Sequence, residues 1–192
     1  MSAPLKPAVF LDRDGTINVD VGYLHEIEQM RLLPGAIPAL RLLQEHYQLV
    51  VVTNQSGIAR GLLSEEKLHR IHRKMLDLLA QGGVSIQGIY YCPHHPDYGE
   101  PPYRCECQCR KPFPTLFKRA AQELGLDPAL SWAVGDKLRD CLGPMQLGSR
   151  GILLSLDDEQ VKIAKEQYPQ MPIVDDILAA AHYILEHDRL SL

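Results

Sequence analysis

Short apolar runs punctuate this chain, and each stops abruptly at polar residues. Residues 8–11 (AVFL) end at Asp12, and residues 48–53 (QLVVVT) end before Asn54, Gln55 and Ser56. Residues 86–91, 132–135 and 151–155 repeat the pattern, with a weaker run at 172–174. Continuous apolar runs this short, rich in β-branched residues, predict strands buried on both faces. Strands of that kind belong to a parallel sheet.

Helical spacing fills the intervals. After Pro34-Gly35, the residues Ile37, Leu40 and Leu43 mark one face of a first helix. Ser64 is placed to cap a second, with Glu65 and Glu66 favourable in its first turn. Leu68, Ile71, Met75, Leu78 and Leu79 form its apolar face, and Gly82-Gly83 stops it. A third helix is predicted over 114–124 with Gly125 as its stop, and a shorter one near 138–147, bent by Gly143-Pro144. Residues 157–192 carry the pattern of two more. Alternating strands and helices predict an α/β fold: a Rossmann-like central parallel sheet with helices on both faces, built as one domain over 1–192. His69 and His72 are placed on the surface by this pattern, and Trp132 in the core.

Two stretches, 16–33 and 92–112, have no regular period. Both follow a strand at its C-terminal end, where open α/β sheets hold their ligands. They are the expected walls of a site, and the second is an insert of about twenty residues.

Bulk properties narrow the partners. At 192 residues, net charge −4 and pI about 6, no basic field invites nucleic acid. The N-terminus lacks a signal core, and no run approaches membrane-spanning length, so a cytoplasmic protein without membrane attachment is expected. No heptad or long apolar edge suggests an obligate oligomer, and a monomer is expected.

Carboxylates gather at the strand ends. The stretch VFLDRDGT places Asp12 at the tip of the first strand, Asp14 two residues on, and Gly15 where a sharp turn is needed. A plain turn would use the same residue types. Three companions argue for more: Thr53 with the donors Asn54, Gln55 and Ser56 in VVVTNQSG, Lys111 in CRKP, and Asp136 with Asp140 behind it in AVGDKLRD. A hydroxyl, a cation and two sets of carboxylates thus recur at one edge of one sheet, a set able to share a cation. Asp140 alone reads as a solvated helix position.

The set Asp12-x-Asp14-Gly15-Thr16, Thr53, Lys111 and Gly135-Asp136 resembles the haloacid dehalogenase (HAD) superfamily of phosphotransferases. FLDRDGTINVDVGY, VVVTNQSGIARG, GIYYCPHHP, CQCRKP and VGDKLRD resemble, more narrowly, its branch acting on the 7-phosphate of heptose 1,7-bisphosphates in heptose-nucleotide and lipopolysaccharide-core biosynthesis. The resemblance runs from about residue 8 to 155. It implies that Asp12 is the nucleophile, Asp14 the general acid and base, and Thr53 and Lys111 the binders of the transferring phosphate. It implies Mg2+ held by Asp12, the Asp14 carbonyl and Asp136. It also implies that Asp20, Val21, Gly22 and Tyr23 form a substrate loop, joined by Asn54, Gln55, Ser56, Arg110 and Lys137. Tyr23 can equally pack against its own loop, while His25 and Glu26 read as solvated. Arg110 suits a second phosphate of the substrate.

Four of the five cysteines fall between Cys92 and Cys109, too clustered for a disulfide framework. Cys92-x-His94 followed by Cys107-x-Cys109 makes a set of soft ligands suited to structural zinc. By spacing, His95 and Cys105 compete, because CECQC offers two overlapping pairs. Resemblance selects Cys107 and Cys109. A zinc tether would fix Lys111 without a large cap domain, since neither loop is long enough to form one. A histidinol-phosphate phosphatase and a zinc-containing binding module without turnover are the alternatives, with a DNA 3′-phosphatase disfavoured by charge.

Overall fold

The computed structural model describes residues 4–189. Six strands, β1 (Ala8–Leu11), β2 (Gln48–Asn54), β3 (Gly88–Cys92), β4 (Trp132–Gly135), β5 (Arg150–Leu154) and β6 (Ile173–Val174), pair in parallel. Their order in the sheet is β3-β2-β1-β4-β5-β6. The helices are α1 (Ala36–Gln44), α2 (Glu65–Gln81), α3 (Thr115–Leu124), α4 (Leu138–Met145), α5 (Asp158–Gln167) and α6 (Ile177–Arg189).

Strand alternation explains why both faces must be covered. Val9, Leu11, Leu49, Val51 and Val134 point to a core shared with Leu40, Leu43, Leu68, Ile71 and Ile184 from α1, α2 and α6. Their neighbours Ala8, Phe10, Val50, Val52 and Ala133 point the other way, onto Leu116, Phe117 and Ala120 of α3. A third cluster joins Leu153 to Leu138, Cys141 and Ala164 from α4 and α5. The central residues of these strands are therefore apolar on both faces, with polar residues only at the ends of β2 and β5.

The boundaries shift for local reasons. β3 starts at Gly88 and reaches Cys92, because Asn54 extends β2 far enough to pair with it. α4 ends at Met145, one residue after Pro144, whose ring and missing N–H stop the helical ladder. The tail resolves into α5 and α6, and α5 is capped by Asp157, whose carboxylate accepts from the Glu159 and Gln160 amides. No helix among the described residues is long and apolar enough to cross a membrane.

The sheet is wound outward in both directions from β1, so the crevice between the carboxyl ends of β1 and β4 is the switch point where such folds bind ligands. Register then levels the chemistry. Leu11 lies opposite Val51 on one side and Val134 on the other. One residue past Leu11 and two past Val51 and Val134, Asp12, Thr53 and Asp136 consequently emerge close together at one edge.

Candidate active site

A cavity of about 290 Å³ opens at that edge. Asp12, Asp14, Asp20, Gly22, Tyr23, Thr53, Asn54, Gln55, Ser56, Arg110, Lys111, Asp136 and Lys137 all line it. Val21 is the sequence-predicted member of the substrate loop that does not; it is exposed to solvent. Arg60 and Arg139 also line the cavity, although nothing in their spacing marks them, and so does His95, which spacing offered only as a metal ligand.

The floor is a buried charge cluster. Lys111 Nζ donates to Asp12 Oδ1 at 2.7 Å and to the Val52 carbonyl at 2.7 Å, and it pairs with Asp140 Oδ1 at 2.7 Å. Asp140 is thus not the solvated helix position expected from sequence. Its other oxygen accepts from the Lys137 amide at 3.0 Å, so one side chain both caps α4 and fixes the lysine. Carboxylate oxygens of Asp12, Asp136 and Asp140 lie within 4.8 Å of one another. Burial raises Asp12 to about 6, with Lys111 opposing and the neighbouring aspartates adding to the shift. Burial and repulsion from Asp140 and Asp12 raise Asp136 to about 7. Three carboxylates share one buried lysine, and Lys137 reaches Asp136 only at 3.6 Å while paired with Asp157. A hard divalent cation is the group that supplies the missing charge.

Gly15 keeps this floor open. Its φ of +78° suits glycine, and a Cβ there would meet the Asp136 carboxylate at 2.9 Å.

Behind the floor, Asp14 is held by donors alone. Oδ1 accepts from Arg13 Nε at 3.1 Å, Arg13 Nη2 at 3.0 Å and Asn18 Nδ2 at 2.9 Å. Oδ2 accepts from Arg13 Nη2 at 2.7 Å and from Gln55 Nε2 at 2.9 Å. Burial works to raise its pKa, but the Arg13 charge and these hydrogen bonds keep it below the usual carboxylate range. Arg13 and Asn18 are fully buried and were not marked by the sequence patterns. His72, assigned to the surface, is buried against Arg13 at 3.2 Å; His69 is exposed as expected.

Several substrate-loop candidates serve their neighbours. Gln55 also donates to Thr53 Oγ1 at 2.9 Å. The Asn54 side chain makes a reciprocal pair with the Lys111 main chain, accepting from its amide at 3.0 Å and donating to its carbonyl at 3.2 Å. Asp20 accepts from the Gly22 amide at 2.8 Å, which tightens the turn. The Tyr23 ring lies 5.2 Å from the Arg60 guanidinium, and Tyr98 packs on the same cation at 3.5 Å. Lys137 pairs with Asp157 at 2.6 Å and lies 3.6 Å from Asp136. Arg110 is half-buried and donates to the His94 carbonyl at 3.3 Å.

A second cluster, Cys92, His94, Cys107 and Cys109, sits at the root of the long loop. The three sulfurs are 3.1–3.6 Å apart, and His94 Nδ1 is 3.2 Å from Cys109. Tetrahedral zinc with bonds near 2.3 Å would space sulfurs at roughly 3.8 Å, so the donors need only a small expansion. Cys105 and His95 lie outside the cluster. Cys109 is lowered to about 5 by hydrogen bonding from Cys92, with burial opposing and His94 assisting, while Cys92 is pushed up. One thiolate already forms readily there.

Comparison with known proteins agrees with this geometry. A HAD-hydrolase-like family model matches residues 108–180. The D-glycero-beta-D-manno-heptose-1,7-bisphosphate 7-phosphatase of Pasteurella multocida is 44% identical over 95% of this chain and 92% of its own. This chain belongs to that phosphatase family. The family member from Vibrio cholerae is 42% identical over 94% of this chain and 97% of its own. Among solved structures, the D,D-heptose 1,7-bisphosphate phosphatase of B. bronchiseptica, complexed with magnesium and phosphate, matches with TM-score 0.81 and 35% identity over 94% of this chain and 99% of its own. The heptose bisphosphate phosphatase family thus spans α5 and α6, beyond the motifs that carry the resemblance in sequence.

Proposed function

We propose that this enzyme, a phosphoric monoester hydrolase, removes the 7-phosphate of D-glycero-β-D-manno-heptose 1,7-bisphosphate. The observation that carries the chemistry is the desolvated Asp12 at the switch point, beside Lys111 and facing a cation-deficient carboxylate set. The substrate follows from the relatives, whose names also specify the β anomer.

In the proposed cycle an Asp12 oxygen attacks phosphorus in line, and the bond from phosphorus to the sugar oxygen breaks. Asp14 gives that oxygen its proton. Water then attacks the aspartyl phosphate, the phosphorus–Asp12 bond breaks, and Asp14 takes one water proton as inorganic phosphate forms. That proton passes to solvent between turnovers, and another is taken up as the next anionic phosphate binds beside Asp14. Because its donors favour the ionised form, protonated Asp14 is a willing acid. Thr53 and Lys111 bind the transferring phosphate oxygens, where charge spreads in the transition state.

Asp12, Asp136 and the Asp14 carbonyl would hold Mg2+, with Asp140 beside them, and when bound it offsets repulsion between nucleophile and phosphate. Cys92, His94, Cys107 and Cys109 would hold zinc, whose role is to fix the loop that ends in Arg110 and Lys111. Arg110 binds the second phosphate, and Asp20, Tyr23, Ser56 and Lys137 complete the substrate wall.

The test is a comparison of kcat/KM for the β and α anomers of the bisphosphate and for histidinol phosphate, with magnesium present. The β bisphosphate should lead. A higher value for histidinol phosphate would overturn the substrate assignment while leaving the chemistry in place.

A further inference from the structure

Arg13 is completely buried, an expensive place for a cation. One side of its guanidinium, Nε and Nη2, forks onto the Asp14 carboxylate. The other side, Nη1, meets His72 Nε2 at 3.2 Å. A guanidinium has five donors and no acceptor, and it does not lose its proton in proteins. His72 Nε2 must therefore be the acceptor, which fixes a neutral imidazole with its proton on Nδ1. Burial and the adjacent Arg13 charge agree with this, lowering His72 to about 3. The imidazole is in turn set edge-on to the Tyr91 ring at 5.8 Å, and the Tyr91 hydroxyl is tied to Glu65 on α2.

A guanidinium gripped on one side only can rotate about its long side chain. Gripped on both sides it has one orientation, and that orientation is the one that aims Asp14. We propose that His72 is a positioning residue: by accepting from Arg13 Nη1 it locks the guanidinium fork that directs the Asp14 carboxylate at the leaving oxygen. The proposal rests on the reading of Asp14 as acid and base. It assigns His72 to proton delivery, not to substrate binding or to nucleophilic attack.

The leaving group supplies a readout that a packing role would not move. A sugar alkoxide needs a proton to depart; the nitrophenolate of p-nitrophenyl phosphate does not. kcat/KM covers the steps through loss of the leaving group, so only the sugar substrate reports the acid in that constant.

The experiment measures kcat/KM on heptose bisphosphate and on p-nitrophenyl phosphate for the wild type, His72→Leu, His72→Gln and Asp14→Asn, all supplied with magnesium and zinc. Unfolding midpoints are recorded alongside. His72→Leu should lose about 10-fold on the sugar phosphate, as expected for a misdirected catalytic group, and less than about 2-fold on the aryl ester. His72→Gln, whose amide oxygen can accept from Arg13, should recover most of the loss. His72→Met replaces His72→Leu if the latter does not fold. Equal losses on both substrates, a loss that glutamine does not restore, or no loss at all would each overturn the positioning role. Asp14→Asn should lose on the order of 10²-fold or more on the sugar phosphate and far less on the aryl ester. If it instead leaves the ratio of the two substrates unchanged, the reading of Asp14 itself fails, whatever His72 does.

Discussion

Residues 12–35 and residues 93–114 both leave the sheet at its carboxyl edge, and both reach the same cavity, yet they are held by different forces. The first loop is anchored by its own side chains. Ile17, Leu24 and Met30 are buried in the main core, and Thr16 and Asn18 are buried beside them. Its main chain folds back on itself, with the Val19 amide donating to Arg31 at 2.9 Å and the Leu33 amide to Ile17 at 2.9 Å. In the second loop no residue from 93 to 110 is buried. It is held mainly by the sulfur–histidine cluster, by the Asn54 pair on Lys111 and by Tyr98 against Arg60, with Tyr103 alone packing at the edge of the main core and donating to Glu65 at 2.8 Å. Gly99 lies so close to Ala59 that a Cβ would fall 1.8 Å from its carbonyl oxygen. A loop packed into the core is lost only with the core. A loop rooted in a cluster of metal-type donors can be released, when those donors lose their ion, while the sheet stays folded.

The sheet edge itself sets the upper limit on any such effect. Asp12→Asn should abolish turnover while the fold and the zinc content stay intact, since an amide keeps the shape but is a poor nucleophile. Lys111→Ala should cost on the order of 10²–10³ in kcat, as for other donors to a developing charge. Phosphate release by a folded Asp12→Asn protein free of contaminating phosphatase would overturn the mechanism.

Zinc removal tests the comparison directly. Cys92→Ser and Cys107→Ser should each lose the metal, and kcat/KM should fall on the order of 10²-fold, the cost of displacing a catalytic group by about 1 Å. The unfolding midpoint of the sheet should move little. Elemental analysis should find one zinc per chain in the wild type and in Cys105→Ser. Zinc lost from Cys105→Ser and kept in Cys107→Ser would refute the ligand set.

Arg110 lies between these two effects, because it extends from the loop rooted in the sulfur–histidine cluster into the cavity. A guanidinium can grip a second phosphate with paired hydrogen bonds, contributing roughly 1.5–3 kcal/mol. Arg110→Ala should lower kcat/KM for the bisphosphate by about 10- to 150-fold and change activity on a simple monophosphate ester far less. Equal losses on both would place Arg110 at the reaction centre or in loop structure.

How much of this was legible in sequence depends on whether a side chain obeys a pattern. The strands were, because burial on both faces leaves a continuous apolar run. Asp12, Thr53, Lys111 and Asp136 were, because each stands where such a run or loop stops. His72 was not, although it had a signal: it lies four residues after Leu68 and three before Met75, on the buried stripe of α2. Its polarity argued for solvent, and the Arg13 partner that makes it a core residue is 59 positions away. Asp140 was misread for a similar reason, since its position in the first turn of α4 suits a solvated cap, and only tertiary structure brings Lys111 to it. Arg13 had no signal at all. A lone arginine between two aspartates reads as surface charge until its partners Asp14 and His72 are known to meet it in the interior.

The smallest effect separates the two loops most cleanly. Ile17 is fully buried in the main core and belongs to the first loop, just past the nucleophile motif. Ile17→Val deletes one methylene and should cost about 0.5–1.5 kcal/mol in denaturant unfolding. The backbone around it is pinned by hydrogen bonds from the Ile17 and Asn18 amides to the Arg13 carbonyl, at 2.9 and 3.1 Å, so the site should keep its geometry. Zinc content and kcat/KM should therefore stay close to the wild type while stability falls. Zinc loss gives the reverse signature, a fall in activity with stability nearly kept. If Ile17→Val instead depresses kcat/KM as far as Cys107→Ser does, the first loop is no more rigidly anchored than the second. The distinction between a core-held and a metal-held wall would then have to be given up.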